Sequence, residues 1–214
     1  MNIIVTCGPS YEPIDQVRRI TNFSTGRLGI TLANAITAAG HRVHCFKGDQ
    51  ATDPTPIKGE VISFSTNDNL SKKLEQLAGE PIDAIFHAAA LCDFKVAPDA
   101  TQTAKKISTK DGDLILRLEP TIKVLPKLRG WFPSANIVGW KYELDGNKES
   151  AVEKAFSQIQ NSETNACVVN GGAYGTGFGF CEADKVRHLP DLESLCAFLL
   201  SWTTGRQRRK VPPL

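Results

Sequence analysis

Short apolar runs of four to seven residues alternate along this chain with longer segments of helical periodicity, and few folds accept that alternation. Residues 3–7, 41–46, 61–64, 82–88, 136–142 and 166–170 read as strands, and residues 30–39, 68–77, 149–159 and 192–202 read as helices. Strands joined through helices require right-handed crossovers. The expected architecture is therefore α/β: a doubly wound, mostly parallel Rossmann-like sheet with helices on both faces. A chain of 214 residues suits one such domain, expected over residues 1–204. Residues 205–214 are expected to form a basic, disordered tail. Arg206, Arg208, Arg209 and Lys210 supply four positive charges there, and without them the net charge of +2 becomes −2. A body of that charge excludes nucleic acid as an expected partner.

Cys7, Cys45, Cys92, Cys167, Cys181 and Cys196 are scattered, with no close pair of the kind a zinc or redox site needs. Buried free thiols act as small hydrophobes, so a reducing, cytoplasmic setting is expected. The start lacks the charged and apolar regions of a signal peptide, and no run is long enough for a membrane span. Between the strands, residues 93–113 lose apolar periodicity and read as a long flap, and residues 114–118 alternate like a strand. Residues 121–132 look like a helical segment interrupted by Pro126, residues 171–179 like a glycine-rich loop, and residues 185–189 like a short strand.

The candidate chemistry lies in Ile20-Thr21-Asn22-Phe23-Ser24-Thr25-Gly26-Arg27-Leu28-Gly29, between the first strand and the first long helix. A helix N-terminus presents unpaired N–H groups and partial positive charge, so small residues there make an anion cradle. It does not fit a dinucleotide fingerprint. Such a fingerprint needs its glycines directly after the strand, whereas here Gly8 ends the strand and the helix starts only near Gly26. The intervening loop combines Glu12, Asp15, Arg18 and Arg19, which suits either a charged substrate or a set of internal ion pairs. A lysine four residues after a tyrosine, as a short-chain dehydrogenase requires, occurs after none of Tyr11, Tyr142 and Tyr174. An NAD(P)-linked oxidoreductase is thereby disfavoured, though it stands as an alternative beside a non-catalytic nucleotide-binding homologue.

Gly8-Pro9-Ser10-Tyr11-Glu12-Pro13-Ile14-Asp15-Gln16-Val17-Arg18, continued by Ile20 to Gly26, closely resembles the opening motif of phosphopantothenoylcysteine synthetase (phosphopantothenate–cysteine ligase). His87-Ala88-Ala89-Ala90-Leu91-Cys92-Asp93-Phe94, Lys106-Ile107-Ser108-Thr109, Gly139-Trp140-Lys141-Tyr142-Glu143 and Val168-Val169-Asn170 agree with the family in order and spacing. The resemblance implies that the carboxylate of 4′-phosphopantothenate attacks the α-phosphate of CTP or ATP. The amine of cysteine then displaces the nucleotide from the acyl intermediate, with Mg²⁺ neutralising the triphosphate. It implies a homodimer and small-molecule substrates, with no FMN in this domain.

Residue by residue, the resemblance assigns Asn22 to the acyl-carboxylate and acyl-nucleotide, since an amide donates to an oxyanion without adding charge. A helix-capping role for Asn22 is the alternative. Ser24 and Gly26 would let backbone amides meet phosphate. Arg18 would bind substrate phosphate or carboxylate, across a dimer interface as the family implies, or else form a surface ion pair. Ala88, Ala89 and Ala90 would let a nucleotide approach the backbone, His87 would line the site through its main chain, and Asp93 would contact the nucleotide. Lys106 would hold the triphosphate, with Trp140, Lys141 and Asn170 around the base. No side chain is assigned to a metal. The chain departs from many bacterial members where Ser108 and Thr109 replace a second flap lysine, where Trp140-Lys141-Tyr142 replaces Phe-Ala-Ala, and where Asn170-Gly171-Gly172 replaces an Asn-Asp pair.

Overall fold

A computed structural model describes residues 1–97, 106–108 and 112–210. Thr109 and the rest of residues 98–105 and 109–111 of the expected flap, and residues 211–214 of the expected tail, lie outside the described residues. In chain order the elements are β1 (Asn2–Cys7), β2 (Tyr11–Pro13), β3 (Arg19–Thr21), α1 (Arg27–Ala38), β4 (Arg42–Gly48), β5 (Glu60–Phe64), α2 (Asn67–Glu75), β6 (Ala84–His87), β7 (Phe94–Val96) and β8 (Leu118–Pro120). There follow α3 (Leu128–Trp131), β9 (Asn136–Tyr142), α4 (Lys148–Asn161), β10 (Ala166–Gly171), β11 (Gly175–Glu182), β12 (Lys185–Leu189) and α5 (Leu192–Lys210).

Among the described residues, eight strands form one sheet in the order β12-β11-β10-β9-β6-β1-β4-β5. The six from β10 to β5 run parallel, and β11 and β12 extend the sheet antiparallel. This is the expected doubly wound Rossmann-like fold. Side chains alternate between its faces. Ile3, Val5 and Cys7 of β1 pack with Ile30, Ala33 and Ile36 of α1 and with Leu195 and Leu199 of α5. Ile4 turns to the other face, where Phe46, Phe64 and Ile85 meet Leu70 and Leu74 of α2 and Leu128 of α3. Both faces are covered, which is why the strands read as continuous apolar runs rather than alternating ones.

Several peripheral elements differ from the sequence expectation. The long loop after β1 contains the antiparallel ribbon β2–β3. The expected flap begins with β7, whose partner is β8, so the strand expected at 114–118 falls instead at Leu118–Pro120. The apolar alternation there did not report burial, since Leu114, Ile115 and Leu118 are exposed. Pro126 does not interrupt a helix over 121–132; it starts a short 3-10 turn, Leu125–Lys127, that leads into α3. The glycine-rich 171–179 segment, expected as a loop, is instead a tight turn followed by the first five residues of β11. A Cβ at Gly179 would lie 2.6 Å from the Tyr174 ring, so that glycine admits a neighbour rather than breaking a strand. At the C-terminus α5 runs past residue 204 to Lys210. Arg206 pairs with Glu182 of β11, which also accepts from Trp202 Nε1 at 3.1 Å. All six cysteines are buried and free.

Candidate functional site

From β1 the chain passes to β4 and β5 on one side, then returns through α2 to β6 on the other. The carboxyl ends of β1 and β6 therefore flank a topological switch point, where open α/β sheets place their ligands. Here Gly8–Ser10 and Ala88–Ala90 continue the pairing beyond the strands. Ala88 N–H donates to Thr6 O (3.1 Å), Ala90 N–H to Gly8 O (3.0 Å) and Ser10 N–H to Ala90 O (3.2 Å). The three alanines leave this backbone bare of bulky side chains.

Beside it α1 begins. Gly26 is its N-cap, at φ 82°, and no side chain caps the helix. The Arg27 N–H has Thr25 Oγ1 at 3.3 Å and the Ile30 N–H closes the first turn on Gly26 O at 3.0 Å, and a helix start without a side-chain cap leaves backbone donors for other acceptors. A Cβ on Gly29 would sit 2.3 Å from Cys7 Cβ, and its absence lets the first turn lie directly against the end of β1. Asn22 does not cap the helix. Its Nδ2 donates to Leu91 O at 2.9 Å, bringing the exposed amide to the Ala88–Leu91 strap. Ser24 lies half-buried between Asn22 and the cap.

His87 is buried at the end of β6, with Nδ1 2.9 Å from Thr6 Oγ1, and that hydroxyl also accepts from Ala89 N–H at 3.2 Å. Burial pushes its pKa down to about 4, so the ring is neutral at pH 7. Its side chain thus stiffens the strap, while its main chain lies at the edge. Asp93 is exposed, and its carboxylate pairs with Lys123, a partner thirty positions away that no sequence signal marks.

Arg18 and Lys106 lie together, at the outer end of the site. Arg18 Nη1 donates to Asp15 Oδ2 at 2.8 Å and to Ile107 O at 3.3 Å. Asp15 in turn accepts from the backbone N–H groups of Ile107 (3.1 Å), Val17 (2.8 Å) and Arg18 (2.7 Å), and these hold its pKa below the ordinary carboxylate range, the Ile107 contribution foremost. The internal ion pair expected as an alternative for this loop is present, and it ties the loop after β2 to the segment carrying Lys106, whose side chain is exposed. Trp140 and Lys141 lie near the end of β9 and Asn170 near the end of β10, one and two strands from β6 along the same edge. Lys141 pairs with Glu143 at 3.2 Å, Lys154 pairs with the same carboxylate, and the Trp140 indole N–H is buried without a partner among the described residues. Among the described residues no group of three His, Cys, Asp or Glu side chains could hold a metal ion.

Fold and edge together define a Rossmann-like α/β domain with a helix N-terminus that no side chain caps beside its switch point. Residues 1–190 match the family described as DNA/pantothenate metabolism flavoprotein C-terminal domain, and the chain belongs to that family. Its relatives include the coenzyme A biosynthesis bifunctional protein CoaBC of Thermococcus kodakarensis, 28% identical over 78% of this chain and 40% of that protein. A cysteine/cysteine sulfinic acid decarboxylase from an unknown prokaryotic organism is 31% identical over 83% of this chain and 48% of its own length. The chain thus spans less than half the length of these curated relatives. The crystal structure of a DNA/pantothenate metabolism flavoprotein from Streptococcus pneumoniae shares the fold, with TM-score 0.86 and 21% identity over 96% of this chain and 99% of that one.

Proposed function

We propose that this chain is a phosphopantothenate–cysteine ligase of coenzyme A biosynthesis, acting through an acyl-nucleotide. The observation that carries the reading is the meeting, at the β1/β6 switch point, of the uncapped α1 N-terminus, the Asn22 amide and the bare Ala88–Ala90 backbone. A family of pantothenate metabolism proteins supplies the substrate class. The decarboxylase name of one relative belongs to a protein about twice this chain's length and is not carried over.

In the first step a pantothenate carboxylate oxygen bonds to the α-phosphorus of CTP or ATP, and pyrophosphate leaves. In the second the cysteine nitrogen bonds to the acyl carbon, the nucleoside monophosphate leaves, and the amine loses a proton. Both steps gather negative charge at the acyl and phosphoryl oxygens. Asn22 meets that charge with its second N–H, the α1 first turn meets it with backbone N–H groups opposite Ser24 and Gly26, and Lys106 meets the triphosphate. Arg18 keeps donors beyond those given to Asp15 and Ile107, and these suit the substrate's phosphate or carboxylate. Asp93 faces the nucleotide, His87 supports the strap, and Trp140, Lys141 and Asn170 border the base. Mg²⁺ would supply charge neutralisation on the triphosphate. Exposed Val17, Phe94 and Leu118 lie on the two adjoining ribbons and support a homodimer face. One domain, a cytoplasmic setting and no bound flavin complete the reading. No helix of the described residues is long and apolar enough to cross a membrane.

The test is an assay with 4′-phosphopantothenate, cysteine, Mg²⁺ and either CTP or ATP. Pyrophosphate should appear only with phosphopantothenate and one of the nucleotides, and amide only when cysteine is added. No pyrophosphate with either nucleotide overturns the reading.

A further inference from the structure

Behind the site lies a buried polar cluster that the ligase chemistry does not use. Asn67, 1% exposed, is the first residue of α2. Its Oδ1 accepts from Ser10 Oγ at 2.7 Å, and its Nδ2 donates to Cys92 O and to Thr121 Oγ1, both at 2.8 Å, with Ile122 O at 3.3 Å. Its backbone N–H donates to Glu12 Oε1 at 3.1 Å. Around it Cys92 N–H donates to Ser10 Oγ at 2.8 Å, and Thr121 Oγ1 donates to Cys92 O at 2.6 Å. Ser10, Glu12, Asn67, Cys92 and Thr121 are all buried. One amide therefore joins four chain segments that are far apart in sequence.

This amide is not needed to start α2. Thr66 already caps that helix, accepting from Asn69 N–H at 3.1 Å. What Asn67 holds instead are the immediate neighbours of site residues. Cys92 stands between Leu91, whose carbonyl anchors Asn22, and Asp93. Thr121 N–H donates to Asp93 O at 2.9 Å, and two residues on, Lys123 pairs with the Asp93 side chain. Ser10 and Glu12 lead into the ribbon that carries Arg18 and Asn22. A buried network with every member satisfied is stiff, and losing one member leaves others unpaired in low dielectric.

We propose that Asn67 is a positioning residue, whose side chain sets where Asn22 and Asp93 stand relative to each other by holding Ser10, Cys92 and Thr121 at fixed separations. The inference rests on the ligase reading. Displacing a reacting group by about 1 Å can cost on the order of a hundredfold in rate, so a residue out of reach of substrate can set kcat.

The experiment measures amide formation by the full chain as wild type, Asn67→Ala, Asn22→Ala and the double variant, with circular dichroism and thermal unfolding alongside. Asn67→Ala should stay folded and lose about tenfold to a hundredfold in kcat. Because both residues act through the Leu91–Asp93 strap, the double variant should lose little more than Asn22→Ala alone, within about threefold. A merely structural role would multiply the two losses. Thr121→Ser, which keeps the hydroxyl, should retain most of kcat while Thr121→Val loses it, and this pair decides the matter if Asn67→Ala does not fold. Wild-type kcat in folded Asn67→Ala, multiplied losses in the double variant, or full kcat in Thr121→Val overturns the inference while the ligase reading stands. Wild-type protein that makes no amide overturns both.

Discussion

Asn22 anchors itself to Leu91 through its Nδ2, and on the ligase reading the second N–H of the same amide is the donor to the acyl oxygens. Replacing it with alanine removes one exposed hydrogen bond, so thermal stability should hold to within a degree or two while ligation falls about a hundredfold or more. Lys106→Ala should behave likewise, since its side chain is exposed. Steady-state amide formation beside thermal melts checks both, and near-normal turnover in either removes that residue from the site. His87 makes the opposite case, a residue whose titration belongs to folding. Its folded pKa, about 4, lies below the ordinary 6.5, so between those values the unfolded chain binds more protons. The neutral ring's contribution is complete above pH 6.5 and is lost as pH falls toward 4, amounting to about 3 kcal/mol across that window. Urea unfolding at a series of pH values should show wild type losing stability over that range more steeply than His87→Gln. Parallel curves would remove His87 as the cause.

At the scale of elements, the site depends on how closely α1 approaches β1. Gly29 permits a contact that any side chain would block, its Cβ position being 2.3 Å from Cys7 Cβ. Gly29→Ala should therefore destabilise the fold by about 1–3 kcal/mol, although alanine is the better helix former. Chemical denaturation measures it, and a stabilised variant would show that α1 can shift without cost. The two ribbons act differently. β2–β3 and β7–β8 bury little themselves and are held by side chains, through Arg18, Asp15 and Ile107 at one end and Asn67 and Thr121 at the other. Neither ribbon was legible in the sequence, because a three-residue strand carries no periodicity and its partner lies up to twenty-odd positions away.

At the scale of the molecule, Ile115 is 85% exposed and Leu118, Phe94 and Val17 are exposed as well, and on the proposed homodimer reading these are the side chains a second copy would cover. On that reading the wild-type chain should sediment as a dimer and the variant with Ile115 and Leu118 both replaced by Asp as a monomer, and equal sedimentation coefficients would count against this surface as an interface. The parallel part of the sheet was readable in advance. Parallel strands buried on both faces must be continuously apolar, so the six parallel strands, the main helices between them and the start of α1 near Gly26 followed from local pattern, whereas β11 did not, its first five residues lying in the glycine-rich stretch that reads as a loop. The candidate site was half legible: the Asn22 to Gly29 stretch announces a helix N-terminus suited to anions. The pairing of Asp93 with Lys123, the tie between Arg18 and Ile107, and the Asn67 cluster were not legible. Backbone periodicity is a property of neighbours in sequence, and it determined the fold class by itself. Hydrogen bonds between residues 25 to 92 positions apart exist only once the sheet has brought their segments to one edge, and these the tertiary structure alone decided.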